Sequence, residues 1–99
     1  MGYYTLFQLE IEDGVMTYDE YMDELENFTG IYISDDCYKW YDHDDDMVQF
    51  SLNHPNVLFI LTGYGEDRED IWRSYYRNGS FYTVNPEVKF PPFDPDELN

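Results

Sequence analysis

The sequence predicts an α+β fold of the ferredoxin-like βαββαβ type: two helices on one face of an antiparallel sheet, plus a C-terminal β-hairpin and an extended tail. Three observations carry this prediction. Residues 3–12 alternate apolar and polar side chains, residues 17–28 repeat apolar side chains at helical spacing, and residues 57–61 are continuously apolar. For 99 residues we expect one domain over residues 1–85 and a proline-rich tail over residues 86–99.

The first helix has start and stop signals in the sequence. Thr17 followed by Glu20 has the capping-box spacing, and Gly30 supplies a C-terminal cap. The apolar stripe consists of Tyr18, Tyr21, Met22, Leu25 and Phe28. The outer face carries only acids, with no lysine to pair any of them: Asp19, Glu20, Asp23, Glu24 and Glu26. Ordinary surface helices carry both acidic and basic side chains, which form ion pairs at i, i+4. Because this helix has acids only, we expect its outer surface to be made of carboxylates alone.

Two short strands are predicted after this helix. They cover residues 31–34 and 37–41, with a turn at Asp35-Asp36 between them. Polar turn residues between two apolar runs are typical of such a connection.

The acidic stretch that follows predicts the start of a second helix. Asp42 is a suitable N-cap, and Asp44, Asp45 and Asp46 fill the first turn, where negative charge meets the positive end of the helix dipole. Pro55 ends the helix. Helix initiation accounts for one or two of these aspartates, so the others are assigned to the acidic surface.

The C-terminal half predicts a central strand, a hairpin and a tail. The apolar run 57–61 is typical of a strand buried on both faces. Asn78-Gly79 is the strongest short turn signal for a β-hairpin, here over residues 71–84. The tail contains four of the five prolines. Its apolar residues are candidates for packing on the body: Val88, Phe90 and Phe93.

The formal net charge of −17 restricts the classes of partner. Residues 1–54 hold fourteen acids and one lysine, a net charge of −13, whereas residues 55–99 hold eight acids and four bases, a net charge of −4. Such a field repels phosphates and anionic membranes and attracts basic proteins, including proteins that bind nucleic acid. Solubility and halophilic adaptation are alternative reasons for the excess, although a net charge of about 2–8 suffices for solubility.

The sequence predicts a cytoplasmic protein. Cys37 is the only cysteine, so no internal disulfide can form, as is usual in a reducing compartment. The first ten residues lack the basic start and apolar run of a signal peptide, and no apolar run is long enough to span a bilayer.

Metal binding by the acidic stretch has weak support. Asp42, Asp44 and Asp46 imitate the first ligands of a calcium loop, but Met47 and Asn53 stand where the loop needs glycine and glutamate. We therefore expect no metal, no cofactor and no catalytic residue. A metal-dependent hydrolase that uses residues 42–44 is kept as the third hypothesis.

A second binding hypothesis places the interface on aromatic side chains. The open face of the sheet or the final hairpin would bind a partner, with anchors at Trp40, Trp72, Tyr75 and Tyr76. A fourth hypothesis is an accessory protein that only self-associates.

Part of the chain resembles a known group of proteins. At Trp40-Tyr41-Asp42 and at residues 55–61 and 70–79 it resembles small, acidic, mostly uncharacterised proteins of bacteriophages and prophages, over about residues 38–79. The resemblance implies phage origin and a bacterial host cytoplasm, and it brings no catalytic residues. Small acidic phage proteins are often similar to inhibitors of host defence, including anti-CRISPR proteins and nucleic-acid mimics.

The leading hypothesis is a non-enzymatic inhibitor that imitates nucleic acid. It binds a basic host protein, such as a nuclease or an RNA-guided effector, and contacts neither nucleic acid nor membrane directly; its oligomeric state is left open. The expected contact residues are Asp19, Glu20, Asp23, Glu24, Glu26, Asp35, Asp36, Asp42, Asp44, Asp45 and Asp46.

Overall fold

The computed structural model describes residues 4–34, 36–66, 70–86 and 92–98. The predicted α+β class is confirmed, with two helices and a five-stranded antiparallel sheet. In chain order, the elements are β1 (Thr5–Glu12), α1 (Tyr18–Thr29), β2 (Cys37–Tyr38), α2 (His43–Leu52), β3 (Leu58–Tyr64), β4 (Ile71–Arg77), β5 (Ser80–Val84) and a 3₁₀ helix (Pro95–Glu97).

The sheet has the strand order β2-β1-β3-β4-β5, and every neighbouring pair is antiparallel. Leu9 pairs with Leu61, Leu61 with Ser74, and Ser74 with Thr83, so these four side chains lie in one row on the same face. The register therefore assigns every strand residue to one of two faces.

The ferredoxin-like βαββαβ order does not form, because residues 31–34 are not a strand. Ile33 is buried in the core instead, and the Ile31 amide donates to the Thr29 hydroxyl at 3.0 Å. The Ser34 and Tyr38 hydroxyls lie 2.7 Å apart across this connection. Side-chain hydrogen bonds and one inserted apolar residue thus hold the segment, and only the two-residue β2 joins the sheet.

Both helices pack on the same face of the sheet, as predicted. Phe7, Leu9, Phe59 and Leu61 share this face and belong to one core cluster with residues of both helices. The helical members are Tyr21, Met22, Leu25, Met47 and Phe50, each at most 2 % exposed. Complete burial of one such apolar side chain contributes about 1.5–3 kcal/mol, so this layer is the main source of stability.

The opposite face of the sheet, here called the outer face, has no helix over it in the described ranges. Glu10 and Glu12 are exposed on this face, whereas Ile60 and Thr62 are only 5 % exposed between the neighbouring strands. Tyr75 pairs with Ile60 and is half-buried there.

The caps agree with the sequence for α1 and only partly for α2. Thr17 and Glu20 form the capping box, and Gly30 adopts the left-handed conformation with φ 80°. Asp42 occupies the N-cap position of α2, but its side chain makes no capping hydrogen bond. Its backbone, at φ −91° and ψ 23°, lies outside the extended region in which an N-cap oxygen reaches the first free amides.

β4 and β5 are joined by Asn78 and Gly79, both with positive φ (49° and 81°), as in a type I′ turn. The Gly79 amide donates to the hydroxyl of Ser51 in α2 at 2.8 Å.

In the tail, Phe93 is 73 % exposed and does not pack on the body, contrary to the prediction. Val88 and Phe90 lie outside the described residues.

Neither of the two α-helices, nor any other helix in the described ranges, is long and apolar enough to cross a membrane.

Candidate partner-binding surface

The exposed face of α1 carries the densest row of carboxylates. Asp19, Asp23 and Glu26 follow one another at i, i+4 and i+7, so they lie along one stripe of the helix. All three are exposed, and no basic side chain in the described ranges forms an ion pair with them. We call these three residues the α1 stripe.

The other two acids of α1 have intramolecular contacts. Glu20 closes the capping box, because its Oε1 accepts from the Thr17 amide at 3.3 Å and from the Thr17 hydroxyl at 3.0 Å. The Glu24 Oε2 lies 3.2 Å from the His54 Nε2, and its side chain is 49 % exposed. Both carboxylates border the α1 stripe and add to its negative potential.

Two aspartates of the acidic run in α2 hold the fold together. The indole Nε1 of Trp40 donates to the Asp46 Oδ2 at 2.7 Å, and the Tyr76 hydroxyl donates to the Asp44 Oδ1. Trp40 and Tyr76 are buried, so each carboxylate satisfies a polar group within an apolar environment. Asp42 and Asp45 remain exposed and have no ion pair in the described ranges.

His43, the first residue of α2, packs its ring among aromatic side chains of the sheet. Its ring stacks on Trp72, with centroids 4.5 Å apart and planes 16° apart. The Phe7 ring is tilted by 57° relative to it, with centroids 5.8 Å apart. The His43 Nδ1 lies 3.2 Å from the Asp44 Oδ1, but the angles are not those of a hydrogen bond. We therefore describe this pair as a close polar contact.

His54 is held in a similar way at the other end of α2. Its ring lies against Tyr21, Phe50 and Phe59, with centroid separations of 5.2, 5.2 and 6.1 Å. Both histidines are thus half-buried among aromatic rings and beside one carboxylate.

Of the two predicted contact residues in the loop before β2, only Asp36 is described. Asp36 is exposed, and its amide donates to the Ser34 hydroxyl at 3.4 Å. Asp35 lies outside the described residues.

Most of the predicted contact residues lie on α1 and on the first turn of α2. The side chains of α1 meet those of α2 and its C-terminal end at the pairs Glu24–His54 and Phe28–Phe50. Asp42 and Asp45 are eight and five residues before Phe50, and five residues correspond to about 7 Å along the helix axis. Asp42 and Asp45 therefore lie toward the end of α2 opposite its contact with α1.

The described lysine and arginine side chains have partners outside the two α-helices. Lys39 lies over the Tyr4 ring at 4.8 Å, the Arg73 Nε donates to the Thr62 hydroxyl at 2.9 Å, and Arg77 forms an ion pair with Asp13 at 3.0 Å. Among the described residues, no lysine or arginine forms an ion pair with a carboxylate of α1. Burial, followed by the neighbouring Tyr32 and Asp19, raises the pKa of Tyr18 beside the stripe.

The aromatic anchors named from the sequence lie mostly inside the protein. Trp40 and Tyr76 are 5 % and 0 % exposed, and Trp72 is half-buried against His43, so these three rings build the helix side of the sheet. Only Tyr75 lies on the outer face. The exposed aromatics of the last two strands are Phe81 and Tyr82, at 52 % and 68 %, which the sequence analysis did not select.

Metal-ligand geometry is missing from the acidic stretch. Across residues 4–34, 36–66, 70–86 and 92–98, no three His, Cys, Asp or Glu side chains are grouped as ligands of one metal ion. Asp42, His43 and Asp44 are consecutive in the sequence, but they do not form a three-ligand group.

No protein-family model matches this sequence, and comparisons with curated proteins and with solved structures give no significant match.

Proposed function

We propose that this protein is a non-enzymatic acidic inhibitor that binds a basic, nucleic-acid-binding protein of a bacterial host and occupies its nucleic-acid site. A nuclease or an RNA-guided effector is the kind of target that we propose, within the cytoplasm of a phage-infected bacterium. The observation that carries the proposal is the α1 stripe: three exposed carboxylates in line, without a basic neighbour in the described ranges.

The density of charge along α1 supports nucleic-acid mimicry. Residues 19–26 contain five carboxylates over about 10 Å of helix axis at 1.5 Å per residue, or one charge per roughly 2 Å. Duplex DNA carries one charge per about 1.7 Å of its axis. A cationic groove shaped for phosphates therefore meets a similar line charge on α1.

Rigidity of the helix supports the same proposal. Tyr21, Met22 and Leu25 bury the inner side of α1 completely, and both ends of the helix are capped. The backbone positions that carry the carboxylates are thereby fixed relative to one another before binding, which lowers the ordering entropy that association costs. Because Asp44 and Asp46 have structural contacts, we leave these two out of the proposed contact set. The remaining proposed contacts are Asp19, Glu20, Asp23, Glu24, Glu26, Asp35, Asp36, Asp42 and Asp45.

A pair of charge-matched variants tests this proposal. The first variant reverses the α1 stripe (Asp19→Lys, Asp23→Lys, Glu26→Lys), and the control reverses three exposed acids elsewhere (Glu10→Lys, Glu12→Lys, Glu97→Lys). Each changes the formal net charge from −17 to −11, because each substitution adds two units. Bulk charge is therefore equal in the two proteins, and only its position differs.

The measurement is capture from nuclease-treated bacterial lysate, followed by elution with duplex DNA. We expect the wild type and the control to retain the same basic nucleic-acid-binding protein and to release it to DNA, while the α1 variant loses it. The affinity for that purified protein should also fall steeply with salt, since the contacts are charged. Equal loss in both variants, or retention in both, would contradict the proposal.

A further inference from the structure

The edge strand β5 carries no charged residue. Its sequence is Ser80-Phe81-Tyr82-Thr83-Val84, the last strand in the sheet order, and no described strand pairs with its other side. Phe81 and Tyr82 are more than half exposed. A neutral, apolar edge is unexpected in a chain with a formal charge of −17.

Proteins usually protect edge strands, and the opposite edge of this sheet is protected. β2 has only two residues, with Asp36 before it and Lys39 after it, and shortness and flanking charge both discourage further pairing. β5 has five residues, no proline, no lysine, and a continuous register with β4 without a bulge. Within the described part of the chain, β5 thus lacks these protective features.

The register identifies which backbone groups point outward. In a hairpin with a two-residue turn, the residues that flank the turn, here Arg77 and Ser80, exchange hydrogen bonds, and such pairs alternate along the ladder. Ser80, Tyr82 and Val84 therefore direct their amides and carbonyls toward β4. Phe81 and Thr83 direct theirs away from the sheet, toward an additional strand.

We propose that β5 pairs with β5 of a second copy of this chain, antiparallel and centred on Tyr82, to form a ten-stranded sheet. Phe81 of each copy then exchanges two backbone hydrogen bonds with Thr83 of the other, and the two Tyr82 residues form the close, non-hydrogen-bonded pair at the two-fold axis. The symmetry is isologous, as in most homodimers.

The distribution of charge makes β5 the described edge at which a second copy can approach without opposing carboxylates. Two copies that approach through α1 or the acidic turn of α2 bring carboxylates together, whereas β5 brings none. The residues of β4 opposite the two ends of β5 are Arg77 and Arg73, which reduce the negative potential at this edge. Residual repulsion between the copies is screened by salt, since the Debye length falls from about 8 Å at physiological ionic strength to about 3 Å at 1 M.

The first test is the sedimentation velocity of the full chain at about 50 mM and about 500 mM NaCl. We expect dimerisation to strengthen with salt, the reverse of the trend for a basic partner on α1. Tyr82→Arg should weaken the dimer about fivefold or more, because like charges then face each other directly, although the same change lowers the net repulsion. Tyr82→Phe should leave the dimer intact.

The second test is disulfide cross-linking between the β5 strands of two copies, through single cysteine substitutions. In a Cys37→Ser background, Tyr82→Cys places two thiols opposite each other at the axis, within reach of a disulfide. Ser80→Cys is the control, because the two thiols are then separated by about 13 Å along the strands. With dilute protein and diamide as the oxidant, we expect Tyr82→Cys to cross-link much faster than Ser80→Cys.

A protein that stays monomeric at both salt concentrations, a dimer that tolerates Tyr82→Arg, or equal cross-linking of the two cysteine variants would each overturn the proposal. Circular dichroism of every variant establishes that the fold is retained. The inference stands independently of the proposed inhibitor function, because no basic partner enters these measurements.

Discussion

Trp40 and Asp46 form a hydrogen bond of 2.7 Å between the indole Nε1 and the Oδ2. An aspartate from the most acidic stretch of the chain thus completes the core, because Trp40 is 5 % exposed and its N–H would otherwise be buried without an acceptor. Acidity in this stretch therefore has two separate physical roles, one structural and one at the surface.

Asp46→Ala is expected to destabilise the protein by about 1–3 kcal/mol, since a buried donor loses its acceptor. Asp46→Asn retains an acceptor oxygen and should cost less. Asp45→Ala, at the exposed neighbouring position, is the control and should change the free energy of unfolding by at most about 0.5 kcal/mol. Urea unfolding gives the three values. Equal effects at positions 45 and 46 would show that the hydrogen bond between Trp40 and Asp46 does not stabilise the core.

The protonation of Tyr76 leads us to expect a loss of stability in alkaline solution. Burial, followed by the hydrogen bond to Asp44, raises the pKa of Tyr76 above its ordinary value of 10.0. The folded state therefore keeps the proton after the unfolded chain begins to lose it. The stabilisation is complete below pH 10 and decreases as the pH rises above 10. Urea midpoints between about pH 8 and pH 11 would report this decrease.

Tyr76→Phe separates this residue from the other tyrosines. The variant should be less stable at pH 8 by about 1–2 kcal/mol, because Asp44 loses a donor, and should have a shallower decrease above pH 10. Tyr82→Phe, at an exposed position, should keep the wild-type slope. An unchanged slope in Tyr76→Phe would contradict the assignment.

Gly63 lies directly against the Trp72 ring. A Cβ at position 63 would collide with the Cζ2 and Cε2 atoms of that indole. Gly63→Ala should therefore destabilise the protein by about 1–3 kcal/mol and shift tryptophan fluorescence, as the stack on His43 is displaced. Thr62→Ser, one residue earlier, changes volume without this collision and serves as the control; a neutral Gly63→Ala would show that the ring moves freely.

Asp23 should be unfavourable for the stability of the free protein. Asp23→Lys places a cation four residues after Asp19 and three residues from Glu20 and Glu26 on the helix surface. The repulsion between Asp23 and each of these carboxylates is then replaced by attraction. We expect a gain of about 0.2–0.5 kcal/mol per pair at low salt that disappears near 1 M salt. Asp23→Asn should give part of the gain. A loss of stability in Asp23→Lys would mean that this carboxylate supports the helix.

Local signals in the sequence predicted much of the secondary structure. The capping box at Thr17, the turn at Asn78-Gly79 and the alternation in β1 each depend on residues close in sequence, and all three are present. Residues 31–34 were wrongly predicted because their apolar side chains are equally compatible with a strand and with a core-inserted loop. Ile33 is buried by tertiary packing, which no local pattern reveals.

The candidate surface was predicted only in part, for a related reason. Exposed and structural acids have the same residue types in the sequence, so Asp45 and Asp46 could not be distinguished. Only the fold brings Trp40 and Tyr76 to the acidic turn. The neutral edge of β5 escaped notice because a strand order is needed to recognise an edge.

The hydroxyl of Ser51 donates to the Val48 carbonyl at 2.8 Å and accepts from the Gly79 amide at 2.8 Å. Ser51 is completely buried, and its hydroxyl connects the turn between β4 and β5 to the last turn of α2. Local opening of either element breaks this bond. Amide hydrogen exchange should therefore find the Gly79 N–H and the end of α2 in one cooperative unit, opening with a common free energy.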